Sequence, residues 1–255
     1  MLVYEKYGVR VTEGTVGVEI EVEGDDLPLN ILSNYWKDEE DNSLRGGREY
    51  VLKKPISIAV LPKALSSLGE LFKECGSSLN FSHRTSVHVH INVSQMEVSD
   101  LKKFVFLAYL LDTALAEIGG REIKGNRFAL RLKDAQGIYF ILKEFFETGR
   151  IPNQNEAKYS SINLCPIGSY GSVEFRSMRG TFDYGVLTHW CELLVNIRNT
   201  SLTFKSMKEI YEMAVEHPDK LIKQVFPDDF FYYENLQYDV QSNISLLAGL
   251  HTIRG

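Results

Sequence analysis

The sequence predicts an α+β fold: one sheet with an apolar face covered by helices and a polar face left open. Two observations predict it. Four short stretches alternate apolar and polar residues with the two-residue period of a half-buried strand: Val16–Glu23, Val87–Ser94, Ser160–Cys165 and Val173–Met178. Between and after them, apolar residues recur at helical spacing over longer stretches, and no linker, repeat or low-complexity tract divides the chain. A single domain over residues 1–255 is therefore expected, and 255 residues suffice for a sizeable core.

In chain order, residues 1–15 are expected to form an edge strand or a lead-in, followed by the first core strand at Val16–Glu23. Gly24–Asn30, with Gly, two Asp and a Pro, reads as a turn. Trp36–Asp41 and Arg48–Leu52 form a hairpin whose second arm carries Glu49, and Pro55 stops it. Ile58, Leu61, Leu65, Leu68, Leu71 and Phe72 mark a helix that begins near Leu61, with Pro62 in its first turn and Gly76 as C-cap. After the strand Val87–Ser94, Ser99 or Asp100 caps a long buried helix that runs past Leu115 to Gly119–Gly120. Arg121–Leu132 is a basic loop and Ala135–Glu147 a helix. Ser160–Cys165 and Val173–Met178 pair as a hairpin across Ile167–Gly171. Tyr184–Thr203, Ser206–Glu216 and one more helix beyond Pro227 make residues 184–255 mainly helical.

The alternation sorts side chains onto two faces. Val16, Val18, Ile20 and Val22 oppose Gly17, Glu19, Glu21 and Glu23, while Val87, Val89, Ile91 and Val93 oppose His88, His90, Asn92 and Ser94. Ile162 and Leu164 oppose Ser161, Asn163 and Cys165; Val173 and Phe175 oppose Glu174, Arg176 and Met178. Taken alone, an acidic stripe is a solvated face and a His-x-His pair is structural. Together, these strands gather carboxylates, imidazoles and an Arg on one surface. Desolvating that many carboxylates costs several kcal/mol each. A pair of divalent cations would offset the cost, and Glu oxygens favour Mg²⁺ or Mn²⁺.

Composition excludes other classes. The net charge of −6, with no basic block, argues against strong nucleic-acid binding. No run of about 18 apolar residues predicts a membrane span. Met1–Arg10 lacks the pattern of a signal peptide, and Cys75, Cys165 and Cys191 fit neither a zinc motif nor a disulfide framework. A cytoplasmic protein with reduced thiols is expected. The chain contains no Walker loop, nucleophile elbow or dinucleotide fingerprint, so a nucleotide would have to be held by metals and basic side chains.

The order of motifs is GVEIEVE at 17–23, DNSLRGGREYV at 41–51, VHVHINV at 87–93, YSSINL at 159–164 and VEFRSMRGT at 173–181, then a helix with Trp190. Over roughly residues 16–200 this resembles the amidoligase family, the carboxylate–amine ligases related to glutamine synthetase and glutamate–cysteine ligase. The resemblance implies a curved, mostly antiparallel sheet and an ATP-dependent ligase that forms an amide through an acyl phosphate. It implies ATP held through Mg²⁺ (or Mn²⁺), with Glu19, Glu21, Glu49, His88 and Glu174 as metal ligands. Arg176 is expected at the transferred phosphoryl group with Arg179 assisting, and His90 and Arg127 at nucleotide or substrate. Asn163, Tyr159 and Lys158 are candidate substrate contacts, with Arg127 alongside them. Glu23 has the right parity but no counterpart in the family. The substrate classes implied are small-molecule or peptide carboxylates and amines, with modified nucleobases among them.

Two other readings stand beside this one. A cupin-type oxygenase or hydrolase would use His88, His90 and Glu174, and would need a third imidazole from His83, His189, His217 or His251. A non-catalytic binding protein would keep the fold without the reaction.

Overall fold

The computed structural model describes residues 1–120, 129–226 and 231–250. In chain order the elements are α1 (Val3–Tyr7), β1 (Val16–Glu23), β2 (Trp36–Glu39), β3 (Gly47–Leu52), α2 (Leu61–Cys75), β4 (Ser86–Asn92), α3 (Val98–Leu110) and α4 (Asp112–Gly119). They continue with α5 (Gln136–Thr148), α6 (Gln154–Ala157), β5 (Ile162–Asn163), α7 (Ile167–Tyr170), β6 (Ser172–Arg179), α8 (Tyr184–Thr203), α9 (Met207–Glu216), α10 (Pro218–Val225), α11 (Leu236–Ser242) and α12 (Ile244–Leu247).

Among the described residues the strands form one six-stranded sheet in the order β2-β3-β1-β4-β6-β5, and each neighbouring pair is antiparallel. The fold is α+β, as the sequence predicts. Alternation puts Val16, Val18, Ile20 and Val22 of β1, with Val87, Val89 and Ile91 of β4, on a face that is fully buried. Each such side chain contributes about 1.5–3 kcal/mol by leaving water. Three helices seal this face. Trp36 Nε1 donates to Ala64 O of α2 at 2.7 Å, and Tyr50 packs edge-on to Phe72 of the same helix. Phe104 of α3 meets Phe175 of β6 with ring centroids 6.0 Å apart. Trp190, Leu194 and Ile197 of α8 are buried in the same apolar cluster.

Several boundaries follow the sequence signals. Residues 58–60 form a 3₁₀ turn that leads into α2, with Pro62 in the first turn and Gly76 at φ 68° as its C-cap. Ser206 caps α9 by accepting from Glu209 N. Other expectations are corrected. Val3–Tyr7 is a short helix rather than an edge strand; Val3 N and Tyr4 N are bonded to Met96 O and Ser94 O. The long helix is broken at Leu111 into α3 and α4, and the α3 N-cap is Glu97, not Ser99 or Asp100. The strand β4 ends at Asn92, because Val93 N turns to Gly171 O. The β5–β6 connection contains α7, and β5 is only two residues long.

The correction with most consequence is a bulge in β6. Val89 pairs with Phe175 and Val87 with Met178, so His88 alone faces the two residues Arg176 and Ser177. The extra residue inverts the parity beyond it. Met178, expected on the polar face, is buried in the apolar core, and Arg179 lies opposite Ser86 instead. The end of α4 packs on this bulge: a Cβ at Gly119 would sit 1.7 Å from Ser177 O, so only glycine fits. Ser161 is corrected too. Its hydroxyl does not join Glu174 and Arg176 but donates to Asp112 Oδ1 at 2.6 Å, at the first residue of α4.

Asp112 is fully buried and also accepts from Leu132 N at 2.8 Å. Burial pushes its carboxyl up to about 6, against the hydrogen bonds from Ser161 and Leu132. A raised acid favours the folded state in its protonated form. That contribution is complete below the unfolded value near 3.8 and is lost as pH rises through about 6. Asp112→Asn removes the titration. Its stability relative to wild type should therefore improve by about 2–3 kcal/mol between about pH 4 and pH 7.5. Urea denaturation across this range checks it; a pH-independent difference would contradict the assignment.

Candidate functional site

The polar face of the sheet is built strand by strand. On β1, Glu19 lies opposite His88 of β4 and Glu21 opposite Glu49 of β3. On β6, Glu174 lies opposite His90 and beside Asn163 of β5. Gly17 faces His90, and a Cβ there would stand at an ordinary contact distance, 3.4 Å, from that of the histidine. The expected metal ligands Glu19, Glu21, Glu49, His88 and Glu174 are thereby brought onto one surface, with His90 and Arg176 among them.

Glu19 stands between the two imidazoles. His88 Nδ1 is 3.2 Å from Glu19 Oε2, and His90 Nε2 is 3.2 Å from Glu19 Oε1. His88 Nδ1 is also 3.6 Å from Glu174 Oε1. The far nitrogen of each ring is tied to a serine: His88 Nε2 to Ser86 Oγ at 2.8 Å, His90 Nδ1 to Ser172 Oγ at 2.9 Å. The Ser86 hydroxyl donates to Glu21 Oε2 at 2.7 Å, so it accepts from His88. That places a proton on His88 Nε2 and turns Nδ1 towards the carboxylates. Ser86 N also donates to Glu21 Oε2. Glu174 takes Arg176 Nη1 at 2.5 Å on one oxygen and Asn163 Nδ2 at 2.7 Å on the other.

The electrostatics follow from this wiring. Burial alone would raise Glu19, but the hydrogen bond from His88 and the two imidazoles on either side hold it well below the usual carboxylate range. Burial likewise opposes ionisation of Glu174, and the Arg176 charge, with the two imidazoles, outweighs it and lowers it. Burial raises Glu21 despite His88 and Ser86. Glu49 lacks such support: burial and the charges of Glu19 and Glu21 push it up to about 9. His90 is raised because Glu19 outweighs the effect of burial.

This donor set fits divalent cations. Ligand atoms of Glu19, His90 and Glu174 lie within 4.8 Å of one another, as do those of Glu19, Glu49 and His88. His90 Nε2 is buried and, although near Glu19, has no aligned hydrogen-bond partner. A buried imidazole nitrogen turned towards a carboxylate without an aligned bond is suited to share a cation with it. Each group is carboxylate-rich with a single imidazole, the chemistry of Mg²⁺ or Mn²⁺.

The remaining expected site residues are placed differently. Asn163 reaches the cluster, but its amide is engaged by Glu174 and by Cys165 N. Arg179, exposed, sits at the Ser86 end of the face. Lys158 and Tyr159 precede β5 and pair with each other, the ammonium 4.7 Å from the ring centroid. Glu23 accepts from Arg45 N at 2.8 Å. Arg127 lies outside the described residues. The residues that sequence reasoning missed are Ser86 and Ser172. Each stands two residues before a ligand candidate on the same strand, so parity was the signal that pointed to both.

No family model matches the chain, and no curated protein matches it. Among solved structures, a crystal structure described as a novel glutamine synthase homolog is similar, with 11% identity and a TM-score of 0.46. The match covers 97% of this chain and 70% of the other.

Because Glu49 is pushed up by burial and by like charge, its ionised form opposes folding in the metal-free protein. That cost appears above the ordinary value near 4.5 and grows until pH passes about 9. In excess chelator at about pH 8, Glu49→Gln should melt at least ~2–4 °C higher than wild type, the scale of one kcal/mol in a chain of this size. The gap should shrink towards about pH 5. An unchanged or lower melting temperature at both pH values would show that Glu49 is not under this repulsion.

Proposed function

We propose that the chain is an ATP-dependent carboxylate–amine ligase that forms an amide through an acyl phosphate. One observation carries the reading: four carboxylates, two imidazoles and the Glu174-bound Arg176 converge on one sheet face. The motif order along the chain supports the same reaction. Glu19, Glu21, Glu49 and Glu174, with His88 and His90, would hold Mg²⁺ or Mn²⁺. Such cations, when bound, neutralise nucleotide phosphates and make the terminal phosphoryl group a better electrophile.

The chain's own residues do the rest. Ser86 and Ser172 fix the two rings, so that His88 Nδ1 and His90 Nε2 are turned towards Glu19. Glu174 orients the Arg176 guanidinium, whose planar fork matches two phosphoryl oxygens. Arg179 adds positive charge at the other end of the face. A substrate carboxylate oxygen attacks the γ-phosphorus, the bond to the bridging oxygen breaks, and ADP leaves with that electron pair. The amine nitrogen then attacks the acyl carbon, the carbon–oxygen bond to phosphate breaks, and the amine gives up a proton. Asn163, Tyr159, Lys158 and Arg127 are proposed contacts for the carboxylate and amine substrates, which fall within small molecules, peptides or modified nucleobases.

The cupin reading is disfavoured because each candidate metal group holds a single imidazole among the described residues. No helix of the described residues is long and apolar enough to cross a membrane. All three cysteines are free thiols, in keeping with the proposed cytoplasmic location.

An ATP-consumption screen over carboxylate and amine pairs, with product masses measured, should give an amide, ADP and phosphate in equal amounts. With the substrate so found, Arg176→Lys should stay folded and bind Mg²⁺–ATP. It should lose phosphate release by roughly two orders of magnitude, the scale of one transition-state donor. A variant with near-full turnover would assign Arg176 to sheet support alone. ATP that turns over equally well in excess chelator would overturn the metal-dependent reading.

A further inference from the structure

The loop between β1 and β2 turns apolar side chains into solvent. Leu29 is 57% exposed and Leu32 is 100% exposed. Leu29 and the half-buried Leu27 line one side of a groove of about 520 Å³. The turn at residues 40–47 lines the other side, with Leu44 in it. Each leucine left in water forgoes the stabilisation that burial gives the core side chains.

Hydrogen bonds hold the loop in the shape that presents them. Ser77 Oγ donates to Asp26 O at 2.6 Å and Tyr50 Oη to Pro28 O at 3.0 Å. Asn30 N and Ile31 N donate to the Asp38 carboxylate at 3.1 and 2.9 Å. These bonds fall on both sides of Leu29. The facing turn is fixed as well: Ser43 N donates to Asp41 Oδ1 at 2.7 Å and Leu44 N to Asp41 O at 3.1 Å. A groove with two fixed walls loses little conformational freedom when it is filled.

Charge decides what would fill it. Asp26, Glu40 and Asp41 line the groove against a single base, Arg48. Arg48 already stands 3.6 Å from Glu40 and 3.9 Å from Asp38. Three acids against one base leave the groove negative, and the net charge of −6 gives the whole chain the same sign. Nucleic acid and anionic membrane surfaces are repelled by this rim. A small inorganic cation would leave the leucines in water. A polypeptide segment with an apolar side chain between basic ones satisfies both the leucines and the acids.

We propose that this groove docks a polypeptide partner through a leucine-type side chain flanked by Lys or Arg. The apolar side chain packs on Leu27, Leu29 and Leu44, and the flanking cations meet Asp26 and Asp41. Leu32 extends the apolar contact along the same loop. The docking does not rest on the ligase reading, and its test reads binding alone.

The test is an amide-shift titration of the full chain at low salt in excess chelator, with the capped pentapeptide Lys-Arg-Leu-Arg-Lys. One control peptide has Ser in place of Leu, and a second has Glu in place of all four bases. The first peptide should shift the amides of Leu27, Leu29 and Asn42. The Ser peptide should half-saturate at a concentration about tenfold higher, the scale of one buried leucine, and the Glu peptide should give no shift. Leu29→Ser, at an exposed position, should weaken the first peptide by about tenfold as well. Asp26→Asn combined with Asp41→Asn should weaken it about threefold to tenfold, the scale of two exposed ion pairs, with a smaller effect at high salt. Both substitutions keep a side-chain carbonyl, and asparagine tolerates the left-handed φ of 53° at position 26. Equal binding of the Leu and Ser peptides, an unaffected Leu29→Ser, shifts confined to Glu19, Glu21 and His88, or no shift at all would overturn the docking site.

Discussion

Glu19, Glu21, Glu49 and Glu174 share one face of a sheet whose other face is dry core, and the rest of the site is arranged around their mutual repulsion. Two unit charges about 4 Å apart repel by about 4 kcal/mol at the effective dielectric of a partly buried site. Each carboxylate meets this differently. Glu19 lies between His88 and His90. Glu174 takes Arg176 and Asn163. Glu21 has only the backbone and hydroxyl of Ser86 beside a more distant imidazole. Glu49 is left to hold a proton, pushed up to about 9 by burial and by its neighbours. The gradient from compensated to uncompensated acid is unfavourable for an apo fold and favourable for one that takes up cations.

The apolar side makes this arrangement rigid. With Val16 to Val22 and Val87 to Ile91 sealed under α2, α3 and α8, neither β1 nor β4 can slip by one residue without exposing its core side chains and burying its acids. Register is therefore fixed by the hydrophobic face, and ligand geometry on the polar face follows from it. The bulge at Arg176 and Ser177 adds a local adjustment. It keeps Arg176 level with His88 and brings Arg179 to the same end as Ser86. Gly119 allows α4 to pack directly on that irregular backbone.

Much of this was legible in the sequence because alternation is a short-range property. Glu19, Glu21, His88, His90 and Glu174 were assigned to one face by parity alone, and the structure puts them there. Parity failed at Met178, since a bulge is set by packing between α4 and β6 and leaves no mark on the local pattern. Ser161 was misplaced for a related reason: a buried Asp112 from a distant helix competes for its hydroxyl. The split of the long helix at Leu111 was hidden because apolar residues continue through it. Ser86 and Ser172 were readable from parity but passed unremarked, since serine on a strand carries no chemistry until its partner is known. Arg127 falls outside the described residues, and the sequence singles it out only as part of the basic loop Arg121–Leu132.

Glu19 belongs to both groups of candidate ligands. The account therefore turns on whether this one carboxylate anchors cations on the sheet. Equilibrium binding of Mn²⁺ to the nucleotide-free protein, followed by the loss of the free-ion electron paramagnetic resonance signal, measures this directly. Wild type should take up Mn²⁺, and Glu19→Gln, still folded, should bind it at least tenfold more weakly. Equal Mn²⁺ uptake by the two proteins, or none by wild type at millimolar concentrations, would contradict the account.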